Sequence, residues 1–201
     1  MAQLIIFRHG ESLWNLENRF TGWTDVGLTP KGIAEAKEAG EKLKHFKLDI
    51  GYVSELIRTE HTLAIALKVC GQQHIPVIVA EALNERNYGD LQGLNKAEAA
   101  KKFGEEQVMK WRRSYDVAPP NGESLKDTMN RAVAYFQKTI IPVLRENKTV
   151  VMATHGNTMR ALIMHLENIS PEEISKLEFK TGEMLLYEFD GNMNITKKQT
   201  I

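Results

Sequence analysis

A disulfide within the chain is excluded at the outset, because Cys70 is its sole cysteine among 201 residues. It lies in an apolar helical pattern and reads as a small core residue, which suits a reducing compartment. No apolar run approaches the length that crosses a bilayer. Met1-Ala2-Gln3 leads into an apolar stretch with no basic n-region and no small-residue cleavage site, so a cytoplasmic location is expected. Neither sign of charge is in excess, since Lys+Arg and Asp+Glu both number 26. That balance argues against nucleic acid or an anionic membrane as the main partner. It leaves room for a small, strongly positive pocket. Metal-ligand spacings such as HxH, HExxH and CxxC do not occur, so no metal is expected. Repeats and low-complexity segments are lacking too.

What is present is an alternation of strand and helix patterns. Hydrophobic residues make up 42% and charged residues 26%, as in ordinary globular proteins. Strands are expected at Leu4–Phe7, Ile50–Val53, Pro76–Ala80, Thr149–Thr154 and Glu183–Phe189. Thr29-Pro30 marks a helix start, with Ile33, Ala36, Gly40 and Leu43 on one face. Ser54 reads as the cap of a helix carrying Leu63, Ala64, Leu67 and Cys70. Helical turns are expected at 96–103 and 105–114. Ser124 with Asp127 forms a capping-box pattern before the apolar stripe Leu125, Met129, Ala132, Val133, Phe136, Ile140, Val143 and Leu144. Thr158–Leu166 is expected to be helical, and Ser170-Pro171 caps another short helix. The expected fold is a single α/β domain over residues 1–201, a three-layer α/β/α sandwich on a mostly parallel sheet.

Two of these strands end in His-Gly: Arg8-His9-Gly10 and His155-Gly156-Asn157. In a parallel sheet both ends open on the same crevice, where ligands bind. One neutral imidazole can attack phosphorus while the other stabilises charge on the equatorial oxygens. Arg58 stands in the first turn of a helix, where the macrodipole disfavours a cation, so a bound anion explains it better than helix stability does. Arg112-Arg113 beside Trp111 suits bidentate binding of carboxylate or phosphate or an ion-pair cluster, whereas an isolated lysine such as Lys96 is usually a solvated face. Ser12, Asn15, Thr21 and Gly22 are either hydrogen-bond partners of an anion or plain turn residues. Glu85 either exchanges a proton with a substrate hydroxyl or pairs with Arg86 or Arg58.

These pieces together resemble the histidine phosphatase superfamily and, within it, the cofactor-dependent phosphoglycerate mutases. The superfamily stretches are Arg8-His9-Gly10-Glu11-Ser12-Leu13-Trp14-Asn15 and His155-Gly156-Asn157. Phe20-Thr21-Gly22-Trp23, Leu83-Asn84-Glu85-Arg86-Asn87-Tyr88-Gly89, Gly93-Leu94-Asn95-Lys96 and Trp111-Arg112-Arg113-Ser114-Tyr115 extend the likeness along nearly the whole chain.

The resemblance implies that His9 carries a phosphoryl group, Glu85 handles the hydroxyl proton, and His155, Arg8 and Arg58 stabilise the transferring group. It implies substrate contacts at Asn15, Thr21, Gly22, Tyr88, Lys96, Arg112, Arg113 and Asn157, and in the same stretches at Gly10, Glu11, Ser12, Leu13, Trp14, Arg86, Asn87 and Gly156. It further implies small phosphoglycerates as partners, 2,3-bisphosphoglycerate as primer, and a homodimer as one assembly to test. Longer members carry some two dozen residues between positions equivalent to Pro120 and Asn121, a segment missing here. A phosphatase of the same superfamily, and a phospho-ligand binding module, are the competing readings.

Overall fold

The computed structural model describes residues 1–174 and 176–201. Six strands form one sheet: β1 (Ala2–Arg8), β2 (Ile50–Val53), β3 (Val77–Val79), β4 (Thr149–Thr154), β5 (Met184–Phe189) and β6 (Ile195–Thr200). Their order across the sheet is β3-β2-β4-β1-β5-β6. The pairs β3–β2, β2–β4 and β4–β1 are parallel, and β1–β5 and β5–β6 are antiparallel. The mostly parallel sheet expected from the alternation is therefore present. Sequence reading missed β6, because Thr196, Lys197, Lys198 and Gln199 are exposed and offer no apolar alternation. An edge strand of this kind is held by its ladder to β5 and discourages further pairing with its lysines.

The helices are α1 (Leu13–Leu16), α2 (Pro30–Leu43), α3 (Ile57–Val69), α4 (Lys96–Phe103), α5 (Glu105–Arg113), α6 (Leu125–Tyr135), α7 (Ile141–Arg145), α8 (Gly156–Glu167) and α9 (Pro171–Ile174). They cover both faces of the sheet. Leu4 and Ile6 of β1 pack with Ala132, Phe136, Met159 and Leu162 on one side. Ile5 and Phe7 pack with Ala39, Leu43, Leu63 and Ala66 on the other. This period of two is what a strand buried on both faces produces. Each such fully buried large side chain contributes about 1.5–3 kcal/mol relative to exposure. A smaller cluster of Phe20, Leu91, Ala99 and Val108 joins α4 and α5 to the loop after β1.

Local signals place most helix ends. Thr29 caps α2 by accepting from Gly32 N, with Pro30 in its first turn. Ser124 and Asp127 form the reciprocal capping box of α6. Ser170 Oγ accepts from Glu173 N at the start of α9. Four readings need correction. Ile33 is exposed on α2, where Gly32 and Ala39 take the inward positions. Ala64 is exposed on α3 and Ala66 faces the core. The long stripe after Ser124 is not one α-helix, because residues 136–140 form a π-turn between α6 and α7. Pro142 has no N–H for the carbonyl of residue 138, and widening the turn accommodates its ring. Finally, Ser54 does not cap α3. The N-cap is Leu56, without a side-chain bond, and the Ser54 hydroxyl is engaged elsewhere.

Candidate active site

The C-terminal ends of β1 and β4 lie side by side, with Arg8 paired to Thr154 in register. His9 and His155 follow directly, so the two imidazoles meet: their ring centroids are 5.1 Å apart at 65°. Both rings are buried. His9 Nδ1 lies 2.7 Å from the Gly10 carbonyl oxygen. A carbonyl can only accept, so Nδ1 carries the proton and Nε2 is left with a bare lone pair. Burial first, then Arg58 and Arg8, push the His9 pKa well below its ordinary value, so the ring is neutral near pH 7. His155 is held neutral in the same way, by burial and then by Arg58, His9, Arg131 and Arg8.

A cavity of about 240 Å³ opens in front of His9. Seven cations line it: Arg8, Arg19, Arg58, Lys96, Arg112, Arg113 and Arg160, against the two carboxylates Glu85 and Glu178. The chain as a whole has zero net charge, so the positive field is local to this crevice. Arg58 is fully buried, and its fork is fixed by the carbonyls of Gly22 at 2.8 Å and Thr24 at 3.1 Å. Burial brings its pKa down to about 10, which still leaves it charged at neutral pH. Arg8 donates Nη1 to the Phe179 carbonyl at 2.7 Å, and its buried Nε has no partner among the described residues. Lys96 lies 5.9 Å over the Phe20 ring. Burial, with Arg112, Arg8 and Arg113 nearby, lowers its pKa to about 8.

Glu85 is held from several sides. Its Oε1 accepts the backbone N–H of Arg86 at 2.8 Å and of Asn157 at 3.1 Å, the latter in the first turn of α8. Its Oε2 has no hydrogen bond among the described residues and stands 4.0 Å from where a Cβ on Gly156 would be. The Glu85 carbonyl accepts from Trp23 Nε1 at 2.5 Å and from Arg131 at 2.8 Å. Arg131 also grips the Glu123 carboxylate and the carbonyls of Ala82 and Asn84. Glu85 thus pairs with neither Arg86 nor Arg58 in a direct ion pair among the described residues. Tyr88 OH accepts from Asn157 Nδ2 at 3.3 Å, and Arg160 donates to Asn157 Oδ1 at 3.0 Å.

The structure brings Asn15, Thr21, Gly22, Tyr88, Lys96, Arg112, Arg113, Gly156 and Asn157 onto the cavity with Arg8, His9, Arg58 and Glu85. His155 stands against His9, off the cavity lining itself. Seven other candidates do not line the cavity. Gly10 packs against α2, where an added Cβ would meet Gly32 O at 2.2 Å. Glu11 turns away to Thr29 and Lys31. Ser12 caps α1, and Leu13 is exposed at 47%. Trp14 lies beneath the Arg19 guanidinium, 4.5 Å to the ring centroid. Arg86 is buried over Tyr88 and bonds the Trp111 carbonyl. Asn87 Oδ1 accepts from Gly89 N.

Sequence reading missed Arg19, Phe20, Arg160, Glu178 and Phe179 as lining residues. Arg160 had a usable signal, since it lies one turn beyond His155-Gly156-Asn157 on the same helix. The segment containing Glu178 and Phe179 carried none. Among the described residues, no group of three or more His, Cys, Asp or Glu side chains could hold a metal. Among the same residues, no helix is long and apolar enough to cross a membrane.

The model of the histidine phosphatase superfamily (branch 1) matches residues 4–200. A 2,3-bisphosphoglycerate-dependent phosphoglycerate mutase of Nitrobacter hamburgensis is 53% identical over 97% of this chain and 95% of its own. A protein of the same name from Cytophaga hutchinsonii is 52% identical over 97% and 91%. Among solved structures, Bacillus stearothermophilus YhfR superposes with a TM-score of 0.86 at 27% identity, covering 97% of this chain and 94% of its own. The mycobacterial glucosyl-3-phosphoglycerate phosphatase Rv2419c gives 0.85 at 23% identity, over 100% and 97% of the two chains, a likeness of fold alone. With paired imidazoles at two strand ends, a collar of guanidinium groups, and a match over nearly its full length, this chain belongs to the histidine phosphatase superfamily.

Proposed function

We propose that this chain interconverts 3-phosphoglycerate and 2-phosphoglycerate through a phosphohistidine on Nε2 of His9, as a 2,3-bisphosphoglycerate-dependent phosphoglycerate mutase. The observation that carries the reading is the bare His9 Nε2 opening on a cavity with seven cations and one fixed, half-free carboxylate. The relatives of that name, at 52–53% identity, support it. A ligand with two phosphates and a carboxylate carries about −4 to −5 at neutral pH, which matches the cation excess. The unpartnered Arg8 Nε is a further donor waiting for such an anion.

2,3-Bisphosphoglycerate supplies the phosphoryl group that primes the enzyme. His9 Nε2 forms the N–P bond as the ester P–O bond breaks, and Glu85 gives the departing oxygen its proton. On return, Glu85 removes the proton of the acceptor hydroxyl while the N–P bond breaks. Arg8 and Arg58 hold the equatorial oxygens, and their charge is pre-placed by carbonyl acceptors, so little reorganisation is needed. His155 hydrogen-bonds the transferring group from beside the nucleophile. Lys96, Arg112, Arg113 and Asn157 hold the remaining phosphate and carboxylate, which keeps the intermediate from leaving before its second transfer. The cytoplasm is the compartment we assign.

The test is a product ratio. With 3-phosphoglycerate and a trace of 2,3-bisphosphoglycerate, 2-phosphoglycerate is expected to form in large excess over inorganic phosphate. Phosphate as the main product would instead make the chain a phosphatase.

A further inference from the structure

Ser54 sits at the end of β2 on a chain of hydroxyls that runs away from the active site. His155 Nε2 is 2.8 Å from Ser54 Oγ. Ser54 Oγ is 2.8 Å from Thr59 Oγ1 and accepts from Leu56 N at 3.1 Å. Thr59 Oγ1 is 3.0 Å from the Leu56 carbonyl oxygen. All of these side chains are buried.

Proton counting gives this chain a direction. Each hydroxyl owns one hydrogen, and the Leu56 carbonyl has none. A hydrogen lies in every one of these contacts only if Thr59 donates to Leu56 O, Ser54 donates to Thr59, and His155 Nε2 donates to Ser54. Neutral His155 is then the Nε2–H tautomer. Its Nδ1 carries a lone pair, is buried, and has no partner among the described residues. A lone pair beside anion oxygens repels them, so His155 can bind a tetrahedral anion only after Nδ1 takes up a proton.

We infer that Ser54 and Thr59 are positioning residues that make anion binding at this site proton-coupled: they force His155 to answer the anion as an imidazolium and not as a neutral donor. The proton comes from solvent and returns there when the anion leaves. The inference rests on the phosphoryl-transfer reading of the site, in which His155 touches the transferring group. It deepens that reading by fixing the charge His155 brings.

Several charged or titratable groups face His155. His9 and Arg8 come from the end of β1, Arg58 from α3 and Arg131 from α6. Glu85 reaches the same helix N-terminus, and Lys96 lines the cavity beyond. Burial first, and then this cationic majority, hold His155 neutral in the free protein, and a dianion beside the ring opposes both.

Sulfate is the suitable probe, because it is tetrahedral and dianionic and has no proton of its own to exchange near neutral pH. Calorimetric titration in buffers of different ionisation enthalpy reads the protons taken up directly. The wild-type protein is expected to take up about one proton more on binding sulfate than a variant whose His155 tautomer is free, and its affinity falls more steeply as pH rises through neutrality. Ser54→Ala removes the acceptor and frees the tautomer, so uptake drops by up to about one proton and the slope flattens. Thr59→Val keeps Ser54 but takes away its acceptor. Ser54 then turns its hydrogen to His155 Nε2, Nδ1 becomes the protonated nitrogen, and uptake drops again. Ser54→Thr restores the wild-type slope.

His9 and Lys96 titrate alike in all four proteins, so the difference between variants isolates His155. Wild-type uptake in Thr59→Val, or none in the wild type, overturns the inference. The product assay is independent of it: a chain that bound sulfate as described but released only phosphate would lose the mutase reading and keep this one.

Discussion

Neutral imidazoles, charged guanidiniums and one carboxylate divide the chemistry of the site at the scale of single residues. The division comes from backbone partners more than from pairing among the groups themselves. Glu85 spends one oxygen on two amide N–H groups and leaves the other for proton exchange. Glu85→Gln is expected to slow phosphoryl transfer between His9 and the substrate oxygen by about 10²–10⁴-fold in both directions, because forming phosphohistidine from 2,3-bisphosphoglycerate and phosphorylating the acceptor hydroxyl are one step run in reverse. Rapid-quench kinetics with labelled primer follows the phosphohistidine, and a rate of transfer close to wild type would take the proton exchange away from Glu85.

Lys96 provides a pH limb. Its pKa, lowered to about 8, leaves it charged below that pH and neutral above it, so anion affinity is present at pH 7 and fades as pH rises through about 8. The KM for 3-phosphoglycerate is expected to rise across that range in the wild type. The rise should be shallower in Lys96→Arg, whose guanidinium does not deprotonate there. Substrate phosphate, with a second pKa of about 6, is already dianionic and adds no slope of its own. At this scale the sequence was most legible where a motif abuts a strand end, as with His9 and His155. It was least legible for Arg131 and Glu178, which reach the site through tertiary packing alone.

Elements set where those residues stand. β1 and β4 carry the histidines, α3 carries Arg58, and the first turn of α8 supplies an amide to Glu85. Strands and caps with strong local signals were readable: Ile50–Val53 and Thr149–Thr154 have the bounds expected, and Thr29 and Ser124 cap as their side chains suggest. Ser54 misled because a buried hydroxyl three residues before a helix can serve either the helix or a neighbour. Here Ser54 serves Leu56 N and His155.

The loop after β1 crosses α2 at a glycine–glycine contact. A Cβ on Gly10 would stand 2.2 Å from Gly32 O, and one on Gly32 2.1 Å from Glu11 O. Both obstacles are backbone and cannot swing aside. Gly10→Ala is expected to destabilise the protein by about 1–3 kcal/mol, read as a lowered midpoint in urea, because loop and helix must separate. An unchanged midpoint would mean the loop can slide over α2 without cost.

For the whole molecule, charge is the organising quantity. A chain with zero net charge concentrates seven cations around one cavity of about 240 Å³. Composition could never disclose that, because it sums over faces that only the fold separates. Clustered like charges weaken the empty protein, and an anion that enters relieves them. Sulfate at a hundred times its Kd is expected to stabilise the fold by about 2.7 kcal/mol, a rise in Tm of about 5–10 °C. Chloride at equal ionic strength serves as the control, and an equal rise with both salts would indicate screening in place of a site.

The two-sided burial of β1 ties the catalyst to the fold in one further respect. Leu4 and Ile6 belong to one core, Ile5 and Phe7 to the other, and Arg8 and His9 continue the same chain without a break. A single residue inserted or deleted before Phe7 would invert the phase of that alternation. Both cores would be offered the wrong side chains, and the reactive nitrogen would swing to the opposite face of the sheet. Folding and phosphoryl transfer therefore share one frame of reference, and a slip of one residue forfeits both together.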